Sequence, residues 1–424
     1  MIDKIIDQKI LLYLVAAVIP LLSISIFLAD LIISISSICF LIFLIKNRFT
    51  IFYKNTFFLL FLLFYFLSII SSLFSENILF SLKSSLPLIR IIAFIFLISY
   101  LFEQKNEITD IFYNFIKYTF LILVVYGLVS YFNIYNNLFS NNLLDNTNIR
   151  LTLPFSDEEK LGSYLIRLYG LFLALYIIKE KKNKFENYFF FLLSLAASTI
   201  VLLSGERTSL FFMMLFISGC LILLNIDFKK KLIFIIPTVL ILSLFLLSNS
   251  NLSKRIIFDK NNELDFSPNN KIIFTAQHTA HYKTGLNMFF DKPLIGVGPK
   301  MFRKLCKNEN YDAMVIRKDG YKVYGCSSHP HNTYIQLLAE TGIIVTLIFS
   351  LGFFHILYKF AQHFFYMVRK KGKKLNDYEI VINLTALIVF WPFSPSGNFF
   401  NNWLLIVYAL TVSLYVKEYF RFKI

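Results

Sequence analysis

Long apolar runs separated by short polar breaks fill most of the chain, at about 9–28, 31–46, 51–74, 84–102, 108–133, 160–179, 187–204, 208–226, 231–248, 333–367, 378–394 and 399–416. A helix needs about 20 apolar residues to cross a bilayer, so each run is read as a membrane-spanning helix, twelve in all. Several carry Ser, Tyr or Pro inside, as helices packed on other helices do. The first run follows Lys4 and Lys9 as the core of a signal peptide would. It continues past Asp30 into a second apolar stretch without a small-residue cleavage site, so it reads as a retained span. The pattern predicts an all-α polytopic membrane protein with about 12 transmembrane helices. Its parts are spans 1–9 (1–248), a large loop (249–332), and spans 10–12 with a tail (333–424).

Composition supports lipid as the solvent. Of 424 residues, 57% are hydrophobic and only 16% charged, against about 25% charged in soluble domains. With 14 Gly, 10 Pro and 4 Cys, fibrous, low-complexity and disulfide-scaffold classes are excluded. A net charge of +16 in a soluble protein would suggest nucleic acid. Here the cations fall in alternate loops: Lys46, Arg48 and Lys54; Lys105; Lys179, Lys181, Lys182 and Lys184; Lys229, Lys230 and Lys231; Arg369, Lys370, Lys371, Lys373 and Lys374; then Lys417, Arg421 and Lys423. The short turns on the other side, around Asp30, 75–83, 204–207 and 395–398, hold little beyond Lys83 and Arg207. The positive-inside tendency therefore puts both termini in the cytoplasm and the 249–332 loop outside. That loop has 13 Lys and Arg against 7 acids. So long a connection is usually functional, and its charge fits an anion-binding lid.

Intramembrane arginines are costly and mark function or pairing. Arg90 lies about six residues into the fourth run and Arg167 about seven into the sixth, so both sit roughly 10 Å below the outer surface at 1.5 Å per residue. Arg207 opens the eighth. Three guanidinium groups in one outer half suit phosphate oxygens; pairing of Arg90 or Arg167 with Glu158, Glu159 or Glu206 is the structural alternative. Pro330 suits a first helical position, which would place His331 in the first turn of span ten, beside free backbone donors whose field keeps the ring neutral. Asn332, Gln336 and Glu340 follow at helical spacing and give the span one polar face. His278 and His281 share a helix face, yet no carboxylate or thiol stands at ligand spacing, so no metal site is expected. No Asp-x-Asp, Walker, Rossmann or nucleophile-elbow motif occurs. Cys306 and Cys326 lie in the outer loop, an oxidising compartment, and are expected to form a disulfide.

His331-Asn332 followed after nine residues by Gly342 resembles the His-Asn-x9-Gly-x-x-Gly pattern of the O-antigen ligase and O-antigen polymerase superfamily of bacterial membrane glycosyltransferases, with Val345 in place of the last Gly. Ser204-Gly205-Glu206-Arg207-Thr208 resembles the family's outer turn with a functional arginine. Lys292-Pro293-Leu294-Ile295-Gly296-Val297-Gly298 is similar to its Pro-Leu-x-Gly-x-Gly segment, and Pro395-Ser396-Gly397-Asn398-Phe399 to its last outer turn. The likeness spans about 84–405. One departure is Gln277-His278-Thr279-Ala280-His281-Tyr282, with histidines where ligases often have an arginine, so His278 or His281 would substitute for that cation. The resemblance implies inverting, metal-independent and cofactor-free transfer of a glycan from undecaprenyl diphosphate at the periplasmic face of the bacterial inner membrane. The acceptor would be lipid A-core in a ligase, or a lipid-linked repeat unit in a polymerase. His331 and Arg207 are the expected catalytic residues; Arg90, Arg167, Asn332, Gln336, His278 and His281 are expected to bind substrate. A non-catalytic transporter of an anionic solute is the rival from another class, but repeated halves and broken midplane helices are not evident.

Overall fold

The computed structural model describes residues 9–46, 55–140 (134–140 as backbone), 150–154, 159–180, 182–225, 274–317 and 320–419. Helices α1 (Lys9–Ile24) and α2 (Ile26–Lys46) pack on each other across Ser25. The break expected around Asp30 lies here instead, because Asp30 has an intrahelical solution: its carboxylate pairs with Arg90 Nη1 at 2.8 Å. Helix α3 (Thr56–Leu73) starts at Asn55, whose Oδ1 accepts from Phe57 N–H and Phe58 N–H. The turn expected at 75–83 is largely a helix, α4 (Ile78–Ser85), capped by Asn77. Pro87 separates it from α5 (Leu88–Gln104). Next come α6 (Glu107–Ser140), α7 (Leu161–Ile178), α8 (Lys184–Leu203) and α9 (Arg207–Leu223). The ninth expected span, 231–248, and 249–273 of the loop lie outside the described residues.

The described part of the loop folds on itself. It contains α10 (Ala276–Asp291), α11 (Phe302–Leu305) and an antiparallel pair, β1 (Met314–Ile316) and β2 (Lys322–Tyr324), with Val315 opposite Val323. Met288, Val297, Met301, Phe302, Cys306 and Tyr311 form a small core closed by Ala339, and Cys306 and Cys326 are joined as a disulfide. Then follow α12 (Thr333–Arg369), α13 (Asp377–Val389, with an Asn376–Glu379 capping box) and α14 (Asn402–Tyr419). Helices therefore occupy eleven of the twelve predicted runs.

Seven helical segments are long and apolar enough to cross a membrane, and α1 and α9 are shorter apolar helices. Helices α5, α7, α13 and α14 form the centre: Phe94, Phe96, Tyr164, Phe172, Ile406 and Val416 are buried there. The outer helices instead turn Phe27, Phe66, Ile122, Leu192 and Ile222 outward, an arrangement that only lipid tails make favourable. Central helices can carry polar residues because they touch protein: Ser99 of α5 bonds the Ser413 carbonyl at 2.7 Å. At one end of the bundle Lys179 bridges Asp110 (2.7 Å) and Glu186 (3.6 Å). At the other, the loop, the α7 start, the 204–206 turn and the 391–400 turn converge.

Candidate active site

A break in α12 builds the site. Gly342 has φ 78° and ψ −177°, so a short segment through Thr341 precedes the long one to Arg369, where the sequence suggests a continuous span. The break frees carbonyls of the first segment, and the loop takes them: Val297 N–H donates to Ala339 O (2.9 Å) and Gly298 N–H to Glu340 O (2.8 Å), while Ile343 N–H donates to Pro293 O (2.9 Å). Such close backbone approach leaves no room for side chains. A Cβ on Gly296 (φ 67°) would meet the Glu340 carbonyl, and one on Gly342 the Leu294 carbonyl. The Pro-Leu-x-Gly-x-Gly and His-Asn-x9-Gly segments thus interlock. Glu340 is fully buried at this joint, accepting from Gln336 Nε2 (2.9 Å) and Phe302 N–H (3.1 Å).

Helix α12 begins at Thr333, three residues after the first helical position that Pro330 suggests. Asn332 is its N-cap, with Oδ1 accepting from Tyr334 N–H (2.9 Å) and Ile335 N–H (3.0 Å). His331 precedes the cap in the left-handed region, φ 56°, so it is not in the first helical turn. The backbone donors expected to attract an anion are used by Asn332 instead. Its Nδ2 donates to Pro392 O (2.8 Å) and Ser394 O (3.3 Å). Gln336 likewise donates to Asn398 Oδ1 (2.9 Å) and accepts from Phe399 N–H (2.8 Å). Both residues, expected on substrate, spend these bonds fastening α12 to the last turn. Ser396 N–H donates to His331 O at 2.9 Å and completes the fastening.

Four histidines converge around His331. Its ring centroid lies 4.1 Å from His329, 5.1 Å from His281 and 5.8 Å from His278. Helix α10, capped by Thr275, puts His278 and His281 on one face, and Gly325 follows β2 to meet them. His281 Nδ1 lies 2.8 Å from the Gly325 carbonyl. Only an Nδ1 that carries a hydrogen suits that carbonyl, and Nε2 is buried with no hydrogen-bond partner among the described residues. His329 is held by Ser328 Oγ (2.8 Å) and the Ser396 carbonyl (3.2 Å). The His331 side chain is half-buried and, among the described residues, has ring contacts alone. Burial, then the neighbouring imidazoles, lowers its pKa to about 3; burial first, then nearby charges, lowers His278 and His329 to about 4. The neutrality expected from a helix terminus arises from desolvation instead. Among the described residues no group of three or more His, Cys, Asp or Glu is arranged to hold a metal ion.

The arginines divide. Arg90 is tied to Asp30 and to Ser34 Oγ (3.0 Å), not to Glu159 or Glu206; Glu158 lies outside the described residues. Glu159 pairs with Arg150 at 3.0 Å. Arg167 is buried, donates to the Ser163 carbonyl (3.0 Å) and hydroxyl, and lies over the Phe212 ring. Nearby Glu206 caps α7, accepting from Gly162 N–H (2.7 Å), Ser163 N–H (3.1 Å) and Ser209 Oγ (2.8 Å). Arg207 is exposed at the start of α9. Two cations that sequence reasoning missed stand between these groups. Lys160 acts electrostatically on both Glu206 and His329, and exposed Arg303 on His329. Arg303 has no ion pair among the described residues. Nothing in the sequence sets it apart from a dozen other loop cations.

Comparison with curated proteins finds no match. A family model described as O-antigen ligase matches residues 190–350, a segment that holds Arg207, all four clustered histidines and Gly342. The match indicates a multi-pass membrane enzyme of the ligase and polymerase type with lipid-linked glycan substrates. Over residues 190–350 the chain is thus similar to the O-antigen ligase family.

Proposed function

We propose that this chain is an O-antigen ligase-like inverting glycosyltransferase. It takes a glycan from undecaprenyl diphosphate to an acceptor hydroxyl, that of lipid A-core, at the periplasmic face of the inner membrane. The supporting observation is the neutral His331 ring at the centre of the histidine cluster, with one cationic flank. His331 takes the proton as the acceptor oxygen attacks the anomeric carbon; the carbon–oxygen bond to the diphosphate breaks, and that oxygen leaves with the electron pair. Arg207, Arg303 and Lys160 stabilise the departing charge, and no metal takes part. Incubating purified protein with undecaprenyl-diphosphate glycan plus either lipid A-core or a second lipid-linked repeat separates ligase from polymerase. Turnover with neither acceptor sinks both.

A free histidine titrates near 6.5 and would make kcat/KM fall tenfold per pH step below that. With His331 held at about 3, its base form persists, and kcat/KM should stay flat from about pH 8 to about pH 5. The acid limb of kcat should lie higher, since a bound diphosphate favours imidazolium. A kcat/KM profile that titrates near 6.5 removes His331 in this environment as the base.

Arg207→Lys keeps the charge but loses the two-pronged geometry, so kcat should fall roughly 10- to 100-fold with normal membrane insertion. Full activity in Arg207→Ala would remove this side chain from the mechanism. Arg90 and Arg167 variants should show mixed effects, because both side chains are engaged within the protein.

A further inference from the structure

Helices α3, α5, α12 and α14 enclose a cavity of about 490 Å³; small-molecule sites span about 300–1,000 Å³. Its walls are apolar, with Phe61, Ile92, Phe349, Gly352, Ala409 and Val412 among them. Leu351, Phe354 and Tyr358 also line it and are 48%, 60% and 56% exposed. The mouth therefore opens sideways, toward the space that lipid tails fill around a membrane helix.

One end of the cavity is polar. His355 Nδ1 and the Tyr415 hydroxyl, both at the wall, are 2.6 Å apart. The Tyr419 ring packs on both, with centroids 5.4 Å from His355 and 4.9 Å from Tyr415. Lys359 Nζ lies over that ring, 4.7 Å from its centroid. Lys359 has no ion pair among the described residues. Arg369 and Lys370, Lys371, Lys373 and Lys374 lie beyond it, and of these Lys373 is paired with Glu379 at 3.0 Å.

We propose that this cavity holds one acyl chain of an anionic phospholipid whose head group rests on Lys359. An apolar chain explains the walls and the sideways mouth, and a cation beside the polar end, which feels the Glu379 carboxylate but makes no ion pair among the described residues, suits a negative head. Lys359 lies 17 residues past Gly342, about 25 Å along the helix. The head group is therefore in the leaflet remote from the histidine cluster, and it is not the diphosphate of the glycan donor.

Native mass spectrometry of the full chain, exchanged with phosphatidylglycerol and phosphatidylcholine of identical acyl chains, tests this. Wild type should retain phosphatidylglycerol about fivefold more, the ratio that one basic residue beside an anionic head supplies. Lys359→Gln should lose the preference but keep a bound lipid. Ala409→Phe, or Ile92→Phe from the facing helix, should retain neither lipid in protein that is monodisperse and helical. Equal retention by wild type, or an unchanged preference in Lys359→Gln, overturns the proposal even if the filling variants do not fold. So does undecaprenyl phosphate displacing phosphatidylglycerol mole for mole, because the occupant would then be a polyprenyl chain.

Discussion

Replacing His331 by Ala should lower glycan transfer by about 10²–10⁴-fold, with expression and donor affinity close to wild type. A sugar hydroxyl is a poor nucleophile, and a positioned base that removes its proton contributes that much. In the free site the ring is half-buried, neutral and unbonded within the described residues, and it gains basicity when a bound diphosphate favours its imidazolium form. His329 is the control. It bonds Ser328 and the Ser396 carbonyl, so His329→Ala should cost stability and some activity through loosened packing, of order 1–3 kcal/mol for the unpaired groups left behind. A direct transfer assay with purified variants decides. If His329→Ala were inactive and His331→Ala nearly wild type, the base would be assigned to the wrong ring.

Gly342→Ala should abolish most folded protein. The glycine sits at φ 78°, ψ −177°, a region essentially closed to other residues and costing about 1–3 kcal/mol on backbone grounds. The added methyl would also strike the Leu294 carbonyl. Relief would require undoing the bonds that Val297, Gly298 and Ile343 make across the joint. Gly320 offers the comparison: its φ is 79°, but nothing lies within 4 Å of the place its added methyl would take. Gly320→Ala should therefore show backbone strain alone. Fluorescence-detected size exclusion with a thermal ramp reads both; equal melting of the Gly342 and Gly320 variants would show that the interlock carries little stability.

Sequence alone determined the apolar bundle. Twenty-residue apolar runs have few alternatives in a bilayer, where every backbone donor must be satisfied within its own helix. It also selected His331, Arg207 and the glycine segments, because their residue types suit anion and proton chemistry and match a family pattern. Tertiary structure decided what those residues touch. Asp30 reads as a turn residue until Arg90 stands opposite it, since a charge inside a span is tolerated only beside a partner that sequence does not identify. Asn332 and Gln336 read as a polar face for substrate, yet the last outer turn takes their bonds. That turn is about 60 residues distant along the chain, and helical periodicity says which face is polar, not what lies against it. Arg303 and Lys160 reach the site by folding as well. Local rules fix helices because their hydrogen bonds are local; the site is made of contacts between segments, and only packing sets those.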